Sequence, residues 1–212
     1  MRLSRTAALT SIGILITLLC LLAIVVSINP LPMTDVSISR SLQAFGSTKT
    51  LEIMTLVSMP GNAIPAAVLG ILAIVLLLLS PFRQAIIPLS FVLPADLLSF
   101  LLKDIVQRPR PSAALVQVHQ VLTDPGFPSS HVVHYTVFFG FLAYLFLKSE
   151  LLPKRLRRPL GGIALALVFL VPFSRMYLGA HWPTDVIGGY LLGLSVLVVQ
   201  IKVFHRLGFK HG

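Results

Sequence analysis

The chain has 212 residues, of which 56% are hydrophobic and only 11% are charged. A soluble domain carries roughly a quarter charged residues, so this composition excludes most soluble classes and indicates a membrane protein. The single cysteine excludes an intrachain disulfide and a zinc site built from cysteines, and the net charge of +10 has to be explained by its position along the chain.

Apolar runs predict six membrane-spanning helices, each near the roughly 20 residues needed to cross the hydrocarbon. In chain order they cover 8–28, 51–79, 85–102, 131–147, 159–174 and 185–203. The first run follows Arg2 and Arg5, as in a signal peptide, but it is longer than the core of a signal peptide, and no convincing cleavage site follows. We interpret it as an anchor and expect one all-α, six-helix transmembrane bundle, a single domain over residues 1–212.

The basic residues indicate an orientation for this bundle. With a cytoplasmic N-terminus, 11 of the 17 Lys and Arg lie inside: Arg2, Arg5, Arg83, Lys148, Lys154, Arg155, Arg157, Arg158, Lys202, Arg206 and Lys210. Cytoplasmic loops of membrane proteins carry this excess. We therefore expect both termini in the cytoplasm of a plasma membrane protein, and we attribute the charge to membrane lipids rather than to nucleic acid.

Two segments on the predicted outer side, 29–50 and 103–130, are too long for simple turns. Loops of this length without structure of their own are often functional. Three polar clusters fall on that same side: "KDIVQRPRP" (103–111), "PSSH" (128–131) and "SRMYLGAHWPTD" (174–185). The predicted topology does not depend on these clusters, so their position on one side of the membrane predicts one shared site at the extracytoplasmic face.

In the first cluster, Lys103 and Arg110 are seven residues apart. They would share a helix face if the helix continued, but a residue before a proline avoids the helical region. Pro109 and Pro111 therefore predict that the helix ends by residue 107 and that Arg110 folds back over the mouth of the bundle. The alternative is that these basic side chains extend to the membrane interface, without a ligand.

In the second cluster, Ser129 or Ser130 is a candidate N-cap for the fourth helix. The N-terminus of a helix favours negative charge, because its first N–H groups are unpaired. His131 then lies in the first turn beside any bound anion. The alternative is an ordinary cap followed by an incidental histidine.

In the third cluster, Pro183 suits the first turn of the sixth helix, where a missing N–H costs nothing. Asp185 then lies in that turn as well. His181 precedes it by four residues, within reach of the carboxylate. An aspartate that accepts from one ring nitrogen fixes the tautomer and leaves the other nitrogen free as base, nucleophile or ligand.

A metal site is the competing chemical interpretation of these residues. His131, His134, His181 and Asp185 are possible ligands. Three cations, Lys103, Arg110 and Arg175, would surround the ion, however, and such a set suits an anion better. Phosphate, with several acceptor oxygens, is the natural candidate.

These motifs resemble the three-part signature of the type-2 phosphatidic acid phosphatase family. The parts that match are Lys103-x6-Arg110-Pro111, Pro128-Ser129-Ser130-His131 and Ser174-Arg175-x5-His181-x3-Asp185. The resemblance covers nearly the whole chain, because integral-membrane members share a six-helix core. Ser130 replaces the glycine that is usual in the family, which puts the local backbone in question if that position needs a positive φ.

The resemblance implies roles for the site residues and a class of substrate. His181 would attack phosphorus, Asp185 would orient its ring, and His131 would protonate the leaving oxygen and later activate water. The phosphoryl oxygens would be held by Lys103, Arg110, Arg175, Ser129 and Ser130. Substrates would be lipid phosphates or pyrophosphates, such as undecaprenyl pyrophosphate, phosphatidylglycerophosphate or phosphatidic acid. The resemblance implies no metal, organic cofactor or obligatory protein partner.

Other interpretations remain open at the level of sequence. The same site would also serve a phosphotransferase that passes the group to another lipid, which an acceptor lipid in the assay would reveal. A lipid transporter without catalysis would bind lipid but release no phosphate. Asp96 lies within a predicted span, where it either pairs with Lys103 or forms hydrogen bonds inside the bundle. His134 either lines the site one turn from His131 or is satisfied within the bundle.

Overall fold

The structure is a computed structural model that describes residues 4–149 and 152–207, and within these residues all regular structure is helical. The basic residues Arg2 and Lys210 lie outside the described residues. The helices in chain order are α1 (Arg5–Ile28), α2 (Met33–Ala44), α3 (Thr48–Ser58), α4 (Ala63–Leu78), α5 (Ile86–Leu89), α6 (Val92–Val106), α7 (Ser130–Lys148), α8 (Lys154–Tyr177) and α9 (Pro183–Arg206). Short 3₁₀ turns at Met59–Gly61 and Arg83–Ala85 precede α4 and α5.

The predicted membrane bundle is confirmed. Among the described residues, five helical segments are long and apolar enough to cross a membrane, or six if α3 and α4 are counted as one bent span. The turn at Arg83–Ala85, α5 and α6 together form one of these spans. Helices α8 and α9 extend beyond the predicted ranges at both ends.

The prediction of one continuous helix over 51–79 is wrong. The segment bends by 56° between α3 and α4. Pro60 and Gly61 lie in the 3₁₀ turn at the bend. Proline lacks the N–H that would continue the helical hydrogen bonds, and glycine adds backbone freedom, so this pair interrupts the helix. The predicted outer segment 29–50 likewise contains structure of its own, namely α2.

Prolines fix two helix ends next to the polar clusters, as predicted. Helix α6 ends at Val106, and Gln107 adopts a left-handed conformation with φ of 49°. Arg108 precedes Pro109 and therefore avoids the helical region. At the other cluster, α9 begins at Pro183, and Oδ2 of Asp185 accepts the N–H of Trp182 at 2.9 Å.

Helix α7 lies at the centre of the bundle, where it packs against α6, α8 and α9. Its residues are buried almost all round, which is the pattern of a central helix. Large apolar side chains on the outer helices are exposed, among them Leu21 on α1, Ile71 on α4, Leu97 on α6 and Phe169 on α8. Such a surface fits hydrocarbon rather than water.

Glycines allow α9 to approach α7 closely. A Cβ added at Gly189 would lie 2.8 Å from the carbonyl oxygen of Ser129 and 2.8 Å from Cβ of Val132. A Cβ added at Gly193 would lie 2.7 Å from Cβ of Thr136. Small residues four apart permit such close helix packing in membranes. This contact fixes the start of α7 against the start of α9, where two of the polar clusters lie.

Candidate active site

The three polar clusters meet at one cavity of about 660 Å³. Six of the eight predicted site residues line it: Lys103, Arg110, Ser130, His131, Arg175 and His181. The other two, Ser129 and Asp185, are fully buried and do not line it. The predicted convergence of the three clusters is therefore what the structure shows.

His181 is buried between a carboxylate and a guanidinium. Its Nδ1 lies 3.4 Å from Oδ2 of Asp185, and its Nε2 accepts from Nη1 of Arg110 at 3.2 Å. A guanidinium can only donate, so this contact requires a lone pair on Nε2 and places the ring proton on Nδ1, toward Asp185. The nitrogen with the lone pair is therefore the one that faces the cation.

The same surroundings keep the ring of His181 neutral. Burial, followed by the positive charges of Arg110 and Arg175, holds the pKa of His181 well below its usual value. Both effects penalise the imidazolium form. A neutral imidazole with a lone pair on Nε2 is competent as a nucleophile.

Arg175 is fully buried but only partly satisfied. Its Nη1 donates to Oγ of Ser58 at 2.5 Å and to Oε1 of Gln120 at 2.7 Å. Its Nε and Nη2 are also buried and have no hydrogen-bond partner among the described residues. A buried charged group without partners costs several kcal/mol by typical estimates. Unpaired donors on the wall of a cavity are the arrangement expected for an anion site.

His131 and the two remaining predicted cations complete the polar wall. Nε2 of His131 donates to Oδ1 of Asn62 at 3.2 Å. Lys103 is 3% exposed, and its Nζ lies 3.0 Å from Oδ2 of Asp124. Arg110 donates through Nη2 to Oδ1 of the same carboxylate at 2.8 Å. Both cations therefore bind one acidic side chain of the loop between α6 and α7.

The expected roles of the two serines need correction. Ser129 is at the N-cap of α7, but its side chain accepts no capping hydrogen bond, and its buried Oγ has no partner in the part of the chain that the structure describes. Its N–H donates to the carbonyl oxygen of Asp185 at 3.0 Å, so this amide is already in use. Ser130 is the first residue of α7, and its Oγ pairs with Oγ of Ser99 at 2.9 Å.

Serine in place of glycine at position 130 causes no backbone strain. Among the described non-glycine residues, a positive φ occurs at Gln107, whereas Ser130 is helical. The N–H groups of Ser130, His131 and Val132 are in the first turn of α7 and have no intrahelical acceptor. The helix thus begins one residue before the predicted 131, and its free N–H groups include that of Ser130 but not that of Ser129.

Arg108 is a central residue of the site, although none of the three sequence motifs singles it out. It is fully buried, and its Nη1 donates to Oδ1 of Asp185 at 2.5 Å while Nη2 donates to Oδ2 of Asp35 at 2.7 Å. Asp35 comes from α2 and also accepts from Oγ1 of Thr184 at 2.5 Å. The Arg-Pro-Arg-Pro stretch was a signal for Arg110, but nothing local distinguished Arg108 from a surface cation.

Asp96 and His134 form a second polar pair on the cavity wall. Nδ1 of His134 lies 2.9 Å from Oδ2 of Asp96, which joins α7 to α6. The proposed pairing of Asp96 with Lys103 is therefore wrong, and the alternative of hydrogen bonding inside the bundle is correct. Around this pair, apolar side chains line the cavity: Ala63, Ala66, Ala67, Gly70, Ile71 and Ile74 from α4, and Leu89, Val92 and Leu93 from α5 and α6.

Within the described residues, no three His, Cys, Asp or Glu side chains are grouped as ligands for a metal ion. The polar wall of the cavity instead presents three cations, three histidines, two carboxylates that are paired with some of these groups, and the start of a helix. The rest of the wall is mostly apolar. The arrangement suits a molecule with a negatively charged end and an apolar remainder.

Comparison with known proteins agrees with this geometry. Residues 84–209 match the sequence model of the PAP2 superfamily. Phosphatidylglycerophosphatase B of Bacillus subtilis is 35% identical over 108 residues, which is 51% of this chain and 51% of that protein. The putative undecaprenyl-diphosphatase YbjG of Escherichia coli is 31% identical over 149 residues, 68% of this chain and 70% of that protein.

The matched region is only part of some relatives, since it spans 36% of a lipid phosphate phosphatase from Arabidopsis thaliana and about half of the Bacillus protein. A crystal structure of a transmembrane PAP2-type phosphatidylglycerolphosphate phosphatase from Bacillus subtilis shares the fold, with a TM-score of 0.82 and 23% identity. The match covers 94% of this chain and 99% of that one. The protein is a multi-pass integral membrane protein, and it belongs to the PAP2 superfamily.

Proposed function

We propose that this protein is a membrane phosphatase that hydrolyses a lipid phosphate or pyrophosphate through a phosphohistidine, without a metal ion. The observation that carries the proposal is the fully buried Arg175, which lines the same cavity as His181 and whose Nε and Nη2 have no partner among the described residues. A phosphoryl group supplies the oxygens that these donors lack. It also brings the phosphorus within reach of a neutral imidazole.

The relatives' names support a lipid substrate. One is named for phosphatidylglycerophosphate and another for undecaprenyl diphosphate. These two compounds share a terminal phosphate and an apolar tail. The cavity has a matching division, because three cations line one part of it and small or aliphatic side chains of α4 and α6 line most of another part.

In the first step, Nε2 of His181 attacks phosphorus, and the bond from phosphorus to the leaving oxygen breaks. His131 donates a proton to that oxygen, so the dephosphorylated lipid leaves as an alcohol or, from a pyrophosphate, as a monophosphate. Asp185 holds the ring and offsets the positive charge that develops on it. Arg175, Arg110, Lys103 and the first N–H groups of α7 stabilise the phosphoryl oxygens, as preorganised donors do in phosphoryl transfer.

In the second step, water attacks the phosphohistidine. His131, now neutral, accepts a proton from that water, the bond from phosphorus to Nε2 breaks, and inorganic phosphate leaves. The same residue thus serves as acid and then as base, a role in which a histidine contributes about 10²- to 10⁴-fold.

We also propose that the protein lies in the plasma membrane with both termini in the cytoplasm and the cavity on the extracytoplasmic side. The distribution of Lys and Arg supports this orientation. The basic residues at the end of α7 and the start of α8 are at the opposite end of α7 from His131; they are Lys148, Lys154, Arg155, Arg157 and Arg158. The lipid would then enter from the outer leaflet.

The experiment is phosphate release by purified protein in detergent, across phosphatidic acid, phosphatidylglycerophosphate and undecaprenyl diphosphate. His181→Ala should abolish turnover, and His131→Ala should lower kcat by about 10²- to 10⁴-fold. The matched control is His119→Ala, because His119 is an exposed histidine that stacks on Tyr177 and does not line the cavity. It should leave turnover unchanged.

A labelled phosphoryl group should be found on His181 after acid-free quenching of the wild type, and EDTA should not inhibit. Full turnover by His181→Ala would contradict the mechanism. Complete inhibition by EDTA that zinc reverses would replace it with a metal-dependent one. Transfer of the label to an added acceptor lipid, in place of phosphate release, would identify a phosphotransferase.

A further inference from the structure

The carboxylate of Asp124 occupies the two cations that the proposed function assigns to phosphate. Its Oδ2 lies 3.0 Å from Nζ of Lys103, and its Oδ1 accepts from Nη2 of Arg110 at 2.8 Å. The two cations are 3% and 11% exposed, whereas the carboxylate is 49% exposed. An acidic side chain thus reaches buried cations from the open side of the cavity, which it also lines.

A carboxylate and a phosphoryl group are alike in the way they bind such cations. Each presents two negatively charged oxygens to a pair of N–H donors. The donors that Asp124 uses are therefore ones that two phosphoryl oxygens would need. Arg175 differs, because its Nε and Nη2 are without a partner among the described residues.

Asp124 is ionised in this position. Burial by itself would raise the pKa of Asp124, but the hydrogen bond from Lys103 and the charges of Lys103 and Arg110 prevail and lower it. The side chain therefore acts as an anion of charge −1 in the site.

We propose, on the basis of the proposed function, that Asp124 is a resident competitor that weakens the binding of every phosphate group, so that terminal phosphates of charge −2 still occupy the site whereas phosphodiesters of charge −1 do not. A phosphodiester that displaces Asp124 exchanges one negative charge for another and gains little. A terminal phosphate brings two charges to the same cations and also reaches Arg175. The competitor lowers the affinity of both ligands by the same factor, and only the dianion binds tightly enough to withstand that loss.

Selection of this kind matters for a site that opens to a bilayer. Phosphodiester lipids are abundant there, and they have the same apolar tails as the substrates. The three cations Lys103, Arg110 and Arg175 would bind them if no carboxylate were present. With Asp124 in place the formal charge of this group falls from +3 to +2, which a terminal phosphate neutralises.

The local structure allows the carboxylate to move away. The loop is held just after Asp124 and Pro125, because the N–H of Gly126 donates to the carbonyl oxygen of Arg108 at 2.8 Å. Between Gln120 and Gly126, no backbone N–H of the described chain forms a backbone hydrogen bond. The loop at Asp124 is held instead by Lys103 and Arg110, which also bind the carbonyl oxygens of Pro125 and Asp124.

The test compares Asp124→Asn with the wild type in detergent micelles. Turnover of short-chain phosphatidic acid is measured against increasing phosphatidylglycerol, a phosphodiester that the enzyme should not hydrolyse. Asp124→Asn should lower the Ki of phosphatidylglycerol by about tenfold or more, the scale of one charge-assisted contact. Asp104→Asn removes an exposed charge outside the cavity and should leave this Ki unchanged.

A binding measurement covers the case in which Asp124→Asn has no turnover. Trp182 is the single tryptophan of the chain and lies next to His181, so its fluorescence should report occupancy of the site. Phosphatidylglycerol should bind Asp124→Asn more tightly than the wild type in this titration. An unchanged affinity, or equal losses for both ligands, would show that Asp124 merely supports Lys103 and Arg110.

The two proposals fail in different ways. If the wild type releases phosphate from no lipid, the proposed function fails, while the fluorescence titration still measures the effect of Asp124 on anion binding. If phosphate is released but Asp124→Asn does not lower the Ki of phosphatidylglycerol, the competitor role alone is wrong.

Discussion

Asp185 is bound more tightly by an arginine than by the histidine it is expected to orient. Nη1 of Arg108 lies 2.5 Å from its Oδ1, whereas Nδ1 of His181 lies 3.4 Å from its Oδ2. The N–H of Trp182 holds Oδ2 as well. Arg108 is thus a positioning residue, which fixes the carboxylate that in turn fixes the imidazole.

Arg108→Gln should destabilise the protein strongly. It would leave the buried carboxylates of Asp35 and Asp185 without their shared cation, and breaking such a buried pair costs roughly 3–5 kcal/mol. Thermal unfolding in detergent should show the loss, and kcat should fall with little change in KM. Arg108→Lys should recover part of kcat.

The control for this variant is Arg40→Gln. Arg40 is an exposed arginine of α2 whose Nε donates to the carbonyl oxygen of Leu115. Its replacement should change the unfolding temperature little. Equal unfolding temperatures for Arg108→Gln and the wild type would mean that the buried carboxylates do not depend on Arg108.

The acid limb of the pH profile should report the environment of His181. Because burial, Arg110 and Arg175 lower its pKa, the ring stays neutral until the pH falls below the usual histidine value near 6.5. kcat/KM should therefore persist below that pH once the ionisation of the substrate, measured separately by phosphorus NMR, has been accounted for. An acid limb at or above pH 6.5 that belongs to the free enzyme would disagree with this environment.

The residues that line the candidate site could be predicted from the sequence because local rules place them. Proline fixes where α6 ends and where α9 begins, and these ends bring Lys103 and His181 to the cavity. The partners Asp35, Ser58 and Asp124 could not be predicted. Each contacts a site residue that lies far along the chain or across a loop. Such a contact produces no recognisable spacing pattern in the sequence.

At the scale of elements, the break between α3 and α4 positions residues that a straight helix would carry past the site. Ser58 binds Arg175, and Asn62 binds His131. Gly61 lets the turn lie against His131, since a Cβ there would be 2.6 Å from Cδ2 of the ring. Hydropathy measures the length of an apolar run and not its straightness, so it does not predict the bend. Pro60 and Gly61 are the residues in the sequence that indicate it.

Gly189→Ala should separate α9 from α7. The added Cβ would collide with the carbonyl oxygen of Ser129 and with Val132, so the start of α7 must shift relative to His181. A displacement of about 1 Å can cost roughly 10²-fold in rate. Both kcat and the unfolding temperature should fall.

Gly162→Ala on α8 is the matched control, because nothing lies within 4 Å of its added Cβ. Its activity should be unchanged, and its stability should be equal or slightly higher, since alanine favours helices by up to about 1 kcal/mol over glycine. The same loss of kcat and of unfolding temperature for both variants would mean that the protein does not depend on the close contact between α7 and α9.

At the scale of the whole molecule, the proposed orientation can be tested with cysteine labelling. Cys20 is the single cysteine, so Cys20→Ala provides a background without thiols. In that background Ser112→Cys, in the loop between α6 and α7, should react with a membrane-impermeant maleimide on intact bacterial cells. Gln84→Cys, in the connection between α4 and α5, should react only after the cells are permeabilised.

Both positions are exposed in the structure, so a lack of reaction at one of them reports the membrane and not burial. The opposite pattern would invert the protein and place the cavity on the cytoplasmic side. The chemistry at His181 would be unaffected by that result, but the leaflet that supplies the lipid would change.

The family match begins at residue 84, but earlier residues also form part of the site. The α4 wall of the cavity precedes residue 84, and so do Asn62, Ser58 and Asp35, which contact site residues. Under the proposed function, the part with the motifs performs the reaction, while the α4 wall before it shapes the space for the lipid. The proposed function therefore predicts that substrate preference is separable from catalysis: exchange of residues 1–83 between two relatives should move the preference and leave the reaction in place.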